Sequence, residues 1–366
     1  MRKQNRPVKD DVVRALSLEN IAPLVDGHVD FRRKPLALQP IRIPLEDIAY
    51  CDPFTRWVAT CAAGVRLRFS SSTRSLRFTA TQRLAAEAPG AERRGAYDLF
   101  VDGQFHERSW GAGGALISLD SGALVGDEAL ELTFGGLPDR EKLLELWFPQ
   151  AATVSITGLE LDDAATVSPA PDARPRVLFH GSSISHCMEA QGASAGWPAV
   201  AAGLAGLSHQ NLGWAGSCLL SGLAARTIRD AKADAIILKL GINVWSEGML
   251  KSRTFLDSAH AMISIIREKH PTTPIVIISP IFSPGREDAG DGLTLRQMRT
   301  LLQEVTAARV KSGDANIRYL SGLDLFGEAD AAMLPDDLHP NTQGYALMGQ
   351  RFCDQLLRGP GAILHA

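Results

Sequence analysis

The stretch RVLFHGSSISHC, Arg176 to Cys187, decides how the rest of the chain is read. Val177, Leu178 and Phe179 make a short apolar run of the kind buried on both faces of a parallel sheet, and it breaks into a turn that presents two adjacent serines. A strand leading into Gly-Ser-Ser-Ile after a proline-rich stretch fits the first strand and loop of an open α/β sheet. Such sheets bind ligands at the carboxyl ends of their strands. Ser183 is therefore the candidate nucleophile. A lone serine in this place is more often a helix N-cap, so the reading depends on what the remaining chain supplies.

Downstream of this stretch, apolar runs alternate with helical patterns. The runs are QNL (Gln210 to Leu212), AIILKL (Ala235 to Leu240), PIVIIS (Pro274 to Ser279) and IRYL (Ile317 to Leu320). Phe255, Ala259, Met262, Ile263 and Ile266 share one face of a helix, as do Tyr345, Met348, Phe352 and Leu356 near the carboxyl terminus. This alternation predicts a parallel sheet with right-handed crossovers and one functional rim of strand-to-helix loops. Upstream, VRLRFSSS (Val65 to Ser72), SLRFTATQ (Ser75 to Gln82), YDLFVDGQF (Tyr97 to Phe105), ALISL (Ala115 to Leu119), ALELTF (Ala129 to Phe134) and KLLELWFP (Lys142 to Pro149) read as strands. Their spacing predicts an antiparallel β-sandwich, with Leu76 and Phe78 inward and Arg77 and Thr79 toward water. Asp11 to Asn20 reads as a short helix and Asp26 to Pro44 as extended chain. Three prolines in VSPAPDARPR, Val167 to Arg176, mark the change of texture, giving a sandwich domain over residues 1–168 and an α/β domain over 175–366.

With 38 Lys plus Arg against 41 Asp plus Glu in 366 residues, the net charge of −3 offers no electrostatic reason for a nucleic-acid or membrane partner. Neither a spanning apolar run nor a signal-peptide segment is read, so a cytoplasmic location is expected. The five cysteines are widely spaced and read as reduced thiols. His180, His186 and Cys187 lack a ligand at metal spacing, and the glycine-bearing segments lack the dinucleotide pattern, so neither metal nor nucleotide cofactor is expected.

A serine hydroxyl needs a base, the base needs an orienting acid, and the oxyanion formed on attack needs donors. Each has a candidate on the predicted rim. In MLPDDLHPNTQGY, His339 follows Asp336 by three residues, a spacing that favours Asp336 over Asp337 as its partner. The N–H groups of Ser183 and Gly213, the latter in NLGWAGS, and the side-chain amide of Asn243, in KLGINVW, are the candidate oxyanion donors. Taken singly, Gly213 reads as turn punctuation, Asn243 as a loop residue and His339 as a surface histidine; their conjunction in this order is what points to chemistry. Trp214, Trp245 and Phe282 are candidates for a substrate wall, with core packing as the competing reading.

These segments, Gly181-x-Ser183-Ile184, Asn211-x-Gly213, Gly241-x-Asn243 and Asp336-x-x-His339-Pro340, resemble the four ordered blocks of the SGNH, or GDSL-type, hydrolase superfamily. The resemblance implies a flavodoxin-like three-layer α/β/α domain with strand order 2-1-3-4-5, nucleophile Ser183, base His339, acid Asp336 and an oxyanion hole of Ser183, Gly213 and Asn243. The front half resembles the jelly-roll-like β-sandwich that precedes some of these enzymes, GAYDLF (Gly95 to Phe100) standing where a Gly-x-Asp-Leu-Tyr-like signature occurs. Ser182 occupies the position of the usual acid, as in the G-x-S-I subset, and Val244 follows Asn243 where an acid is common. The implied activity is that of a serine esterase on a small-molecule or carbohydrate ester, with deacetylation of an O-acylated sugar or glycoside foremost. Two other readings stand beside it: an O-acyltransferase using the same triad, and a carbohydrate-binding protein with a vestigial triad. Oligomeric state is not legible.

Overall fold

The computed structural model describes residues 13–86, 95–245, 248–290 and 292–364. Five parallel strands form the sheet beneath the site, numbered within that sheet as β1 (Arg176–Gly181), β2 (Ser208–Gly213), β3 (Ala235–Lys239), β4 (Ile275–Ile278) and β5 (Ile317–Leu320). Their order is 2-1-3-4-5, as the family resemblance implies, and Phe179 of β1 pairs in register with Asn211 of β2 and Ile237 of β3. The inner strands β3 and β4 are almost wholly apolar because helices cover both faces, whereas β2, at the edge of the sheet, carries Ser208, His209, Gln210 and Asn211. Phe179 projects onto Trp197 and Phe352, whose helices Trp197–Ala205 and Thr342–Phe352 pack together. A second group, Gly222–Asp230, Ser252–Arg267 and Leu295–Lys311, packs in sequence, with Phe255, Ala259, Met262, Ile263 and Ile266 buried as their spacing predicts. Thr294 and Asn341 cap the Leu295–Lys311 and Thr342–Phe352 helices by accepting from Gln297 and Gly344 N–H groups.

The order of the strands matters because the crossover leaving β1 runs to one side, to β2, while the crossover leaving β3 runs to the other, to β4. The loops after β1 and β3 therefore diverge and open a crevice at the carboxyl edge of β1, where Ser183 lies.

Ahead of this sheet, two largely antiparallel sheets face one another across a core containing Phe69, Phe78, Tyr97, Phe134 and Phe148. Leu76, Phe78 and Ala80 point inward and Arg77 outward along Leu76–Ala85, in keeping with the alternation in the sequence. Ala115–Ile117 runs parallel to this strand, the exception in an otherwise antiparallel arrangement. Three local readings change. Tyr97 to Phe105 is a hairpin of two strands, Tyr97–Val101 and Gln104–Ser109, turning at Asp102 (φ 50) and Gly103 (φ 78). An Asp-Gly pair tolerates positive φ at both positions and so closes a two-residue hairpin. In place of a helix over Asp11 to Asn20, whose first two residues lie outside the described ones, Val13–Ala15 pairs with Glu160–Asp162. Helix begins only after Ser17, which accepts from the Asn20 N–H. The extended stretch from Asp26 to Pro44 folds back on itself as strands Asp30–Lys34 and Ala37–Ile41.

Residues near position 50 belong in packing terms to the parallel sheet. Ile41, Ile43, Ile48, Val58 and Ala59 are buried in the same core as β1 and β3. Arg42 seals this junction. Its fully buried guanidinium donates to the carbonyls of Val58 (2.6 Å) and Cys61 (2.6 Å) in the N-terminal half, and of Asn211 (3.0 Å) and Gly213 (2.7 Å) on β2. Burial lowers its pKa to about 10, which still leaves it charged at neutral pH. No carboxylate among the described residues pairs with it; the carbonyls carry the compensation.

Two predictions follow from these buried polar groups. Arg42→Met strands four carbonyls in the junction and is expected to lower stability by at least ~3 kcal/mol, read as the midpoint of urea unfolding. His180, fully buried on β1 with Nδ1 donating to the Leu212 carbonyl at 2.8 Å, has its pKa lowered to about 4 by burial. The unfolded chain therefore takes up a proton near pH 6.5 that the fold refuses until about pH 4, and stability falls as pH drops through that window. The loss amounts to about 3 kcal/mol, and a His180→Gln variant should show a correspondingly flatter urea midpoint between pH 6.5 and 4.

Candidate active site

β1 ends at Gly181, and the chain turns at once into a single helical turn, Ser183–His186. The cap of that turn is Ser182: its buried hydroxyl accepts from the Ile184 N–H at 3.3 Å. The two serines thus divide the work that one alone left ambiguous. Ser182 takes the capping task, and the partly exposed Ser183 hydroxyl lies 2.7 Å from Nε2 of His339. A side chain on Gly181 would collide with Ser185, so glycine is needed for the strand to approach its own helix this closely.

His339 Nδ1 lies 2.6 Å from Asp336 Oδ2. The other carboxylate oxygen, Oδ1, accepts from the backbone N–H groups of His339 (2.7 Å) and Leu338 (3.1 Å), so Asp336 holds both the ring and the loop that carries it. Burial works to raise the Asp336 pKa, but the hydrogen bonds from the His339 side chain and backbone outweigh it and hold the carboxyl below its ordinary range. An ionised Asp336 assigns the proton to Nδ1, leaving Nε2 to accept from the Ser183 hydroxyl. Asp337 is held through its backbone: it takes a left-handed φ of 60, and its carbonyl accepts from Ser283 Oγ at 2.6 Å and Arg286 Nη1 at 3.0 Å.

The donor side departs from the sequence reading at Gly213. Its buried N–H is committed to Asn211 Oδ1 at 2.8 Å, while Asn211 Nδ2 donates to the Ser185 carbonyl at 2.8 Å. Gly213 and Asn211 therefore lock the β2 exit loop against the Ser183 turn and leave Gly213 no N–H for an oxyanion. Three residues on, Gly216 adopts φ 67, is exposed, and has no acceptor for its N–H among the described residues. NLGWAGS contains both glycines, and only the course of the loop distinguishes the committed N–H from the open one. Asn243 sits on the short helix Ile242–Trp245, with Oδ1 accepting from the Cys218 N–H at 3.1 Å. That bond orients the amide and leaves Nδ2 without a partner among the described residues, as is the Ser183 N–H. Support that an acid at position 244 would give comes from the Cys218 backbone instead, and Val244 is fully buried. Cys218 is itself anchored, its thiol 3.5 Å from His180 Nε2.

The N-terminal half reaches this loop directly. In the helix Pro53–Thr60, Thr55 Oγ1 donates to Ser217 Oγ at 2.9 Å, and the ring of Phe54 lies against Gly216. Neither contact has a signature in the sequence.

Of the three candidate wall residues, Trp214 is corrected: it is buried and packs edge-on to His180 at 5.7 Å, so the core explains it. Trp245 and Phe282 are half-buried. Trp245 Nε1 donates to the Ala289 carbonyl at 2.8 Å, and the Arg286 guanidinium stands 5.4 Å from the centre of its ring.

Residues 179–347, which contain every residue of this arrangement except the Phe54 and Thr55 brace and Arg42, match the GDSL-like Lipase/Acylhydrolase family. No curated protein matches the chain. Among solved structures, the salicylyl-acyltransferase SsfX3 from a tetracycline biosynthetic pathway is 29% identical, with a TM-score of 0.80 over 93% of this chain and 95% of that one. A family two carbohydrate esterase from Clostridium thermocellum, in complex with cellohexaose, shares the fold at 16% identity and a TM-score of 0.63, over 90% of this chain and 97% of that one. A family two carbohydrate esterase from Cellvibrio japonicus shares it at 14% identity and a TM-score of 0.61, over 94% and 97%. The parallel sheet, the ordered blocks on its rim and the family match together make residues 179–347 a GDSL-like lipase/acylhydrolase domain, carried behind a β-sandwich region.

Proposed function

We propose that the chain is a serine esterase working through an acyl-enzyme. The observation that carries this reading is the continuous hydrogen-bonded line from Asp336 to His339 to Ser183, with both distances below 2.8 Å and the nucleophile open to solvent. Ser183 Oγ attacks the ester carbonyl carbon as its proton passes to His339 Nε2, and Asp336 stabilises the imidazolium that results. The negative charge on the carbonyl oxygen is met by the Ser183 N–H, the Gly216 N–H and Asn243 Nδ2, the three donors that the fold leaves uncommitted. Collapse expels the alcohol, which takes the proton from His339. Water then attacks the acyl-serine with His339 as base again, releasing the acid and restoring Ser183.

The favoured substrate is an O-acylated carbohydrate or glycoside, with deacetylation foremost. Its support is the fold shared, sandwich region included, with carbohydrate esterases over 90% or more of the chain. A second reading is favoured by the 29% identity to an acyltransferase: the acyl-serine passes to a second alcohol in place of water. The two differ in product, because a transferase forms a new ester when a sugar acceptor is added, whereas a hydrolase releases free acid with or without it.

Ser183→Ala is expected to lower kcat/KM on a short-chain aryl ester by at least ~10³-fold, and retention of the wild-type rate would sink the assignment. Asn243→Ala is expected to lower kcat by roughly 10²- to 10³-fold with KM little changed, the pattern of a donor used only in the transition state. A fall confined to KM would remove Asn243 from the oxyanion site.

A further inference from the structure

Arg286, on the loop after β4, is anchored in an unusual way for a cation beside an active site. Its Nη1 donates to the carbonyls of Asp337 (3.0 Å) and Pro284 (3.4 Å) and to Ser283 Oγ (3.2 Å), while its Cζ stands 5.4 Å from the centre of the Trp245 ring. Trp245 is itself fixed by its bond to Ala289 and lies two residues beyond Asn243. Asp337 immediately follows Asp336 in the chain and precedes His339 by two residues. The guanidinium is thereby held between the loop that carries the base and the helix that carries an oxyanion donor.

Among the described residues, no carboxylate forms an ion pair with Arg286. The acids around it are engaged: Glu287 with Arg299 at 2.5 Å, Asp288 with Arg296 at 2.8 Å, and Asp336 with His339 at 2.6 Å. Its Nε and Nη2 have no acceptor among the described residues. A surface arginine ordinarily surrenders much side-chain freedom on binding an anion, which offsets the gain. One pinned through Nη1 and held over a fixed indole has already given that freedom up, and its open edge offers two parallel N–H donors that match a carboxylate.

The geometry points to Arg286 as a substrate-binding residue that takes a carboxylate, so that the ester cleaved at Ser183 carries an acidic group on the part lying toward Trp245, as an acylated acidic sugar would. This rests on the esterase reading above. The competing role is purely structural, with Arg286 serving only to tie the Ser283 loop to the Asp337 carbonyl.

The two roles separate in a ratio. Two pairs of esters are compared, one pair with a carboxylate on the alcohol and one with it on the acyl group, each against the methyl amide of the same acid. Wild-type protein should prefer one of the carboxylates, mainly through KM. Arg286→Gln keeps a donor for the Asp337 carbonyl but loses the charge and the fork, and should reduce that preference by roughly 10- to 100-fold. Arg286→Lys, which retains the charge without the fork, should fall between. Loosening of the triad loop slows the acid and amide alike and leaves their ratio intact. An unchanged ratio in Arg286→Gln, or no preference for either carboxylate in the wild type, overturns the proposal. Ser183→Ala, run on the same esters, reads the nucleophile separately: undiminished cleavage there counts against the esterase reading and not against Arg286 alone.

Discussion

A single buried guanidinium ties backbone carbonyls from the two halves of this protein together at their junction. Arg42 carries a full charge into a buried junction, and the backbone answers with four carbonyls drawn from both of its sides. The arrangement works because carbonyls at the end of the Pro53–Thr60 helix and at the exit of β2 would otherwise lack donors of their own. One side chain therefore settles several polar groups at once. It also fixes the position of Gly213, whose carbonyl it binds, and so the point from which the β2 exit loop departs toward Ser183.

From that point the site is assembled by mutual bracing of loops. Asn211 binds the Gly213 N–H and the Ser185 carbonyl, the Cys218 N–H orients Asn243, and Asp336 binds both the ring and the backbone of His339. Each residue of the candidate site is held through a neighbour. The donors left over, at Ser183, Gly216 and Asn243, are the ones whose natural acceptors the fold has withheld. Such preorganised, unsatisfied donors are stable only at a surface where water can meet them until a substrate arrives.

The parts of this architecture that rest on local chemistry were legible in the sequence. Apolar runs mark β1, β3 and β4, while β2 showed in the sequence only as QNL at its centre; the strand order agrees with what the family resemblance implies. Ser183, His339 and Asp336 were marked by residue type and spacing, and the structure brings them together. Gly213 misled because a glycine after a strand signals a tight turn without saying which N–H in that turn is spent. The Asp102-Gly103 hairpin was hidden inside a run whose apolar residues continue on both sides. Arg42, Phe54 and Thr55 left no trace because their partners lie far along the chain, with Asn211 169 positions from Arg42 and Ser217 162 from Thr55. Neither periodicity nor motif spacing encodes a contact of that range.

The brace from Thr55 and Phe54 to the loop of Gly216 and Ser217 has a bearing on inheritance. A sandwich that merely delivered substrate could be exchanged among relatives as a module, or shed, with the chemistry surviving behind it. Here the front half supplies the wall against which the Gly216 loop rests, so a cut at the proline-rich stretch would divide the candidate site along with the chain. The candidate site is thus a property of both halves, although Ser183, His339 and Asp336 all lie in the second.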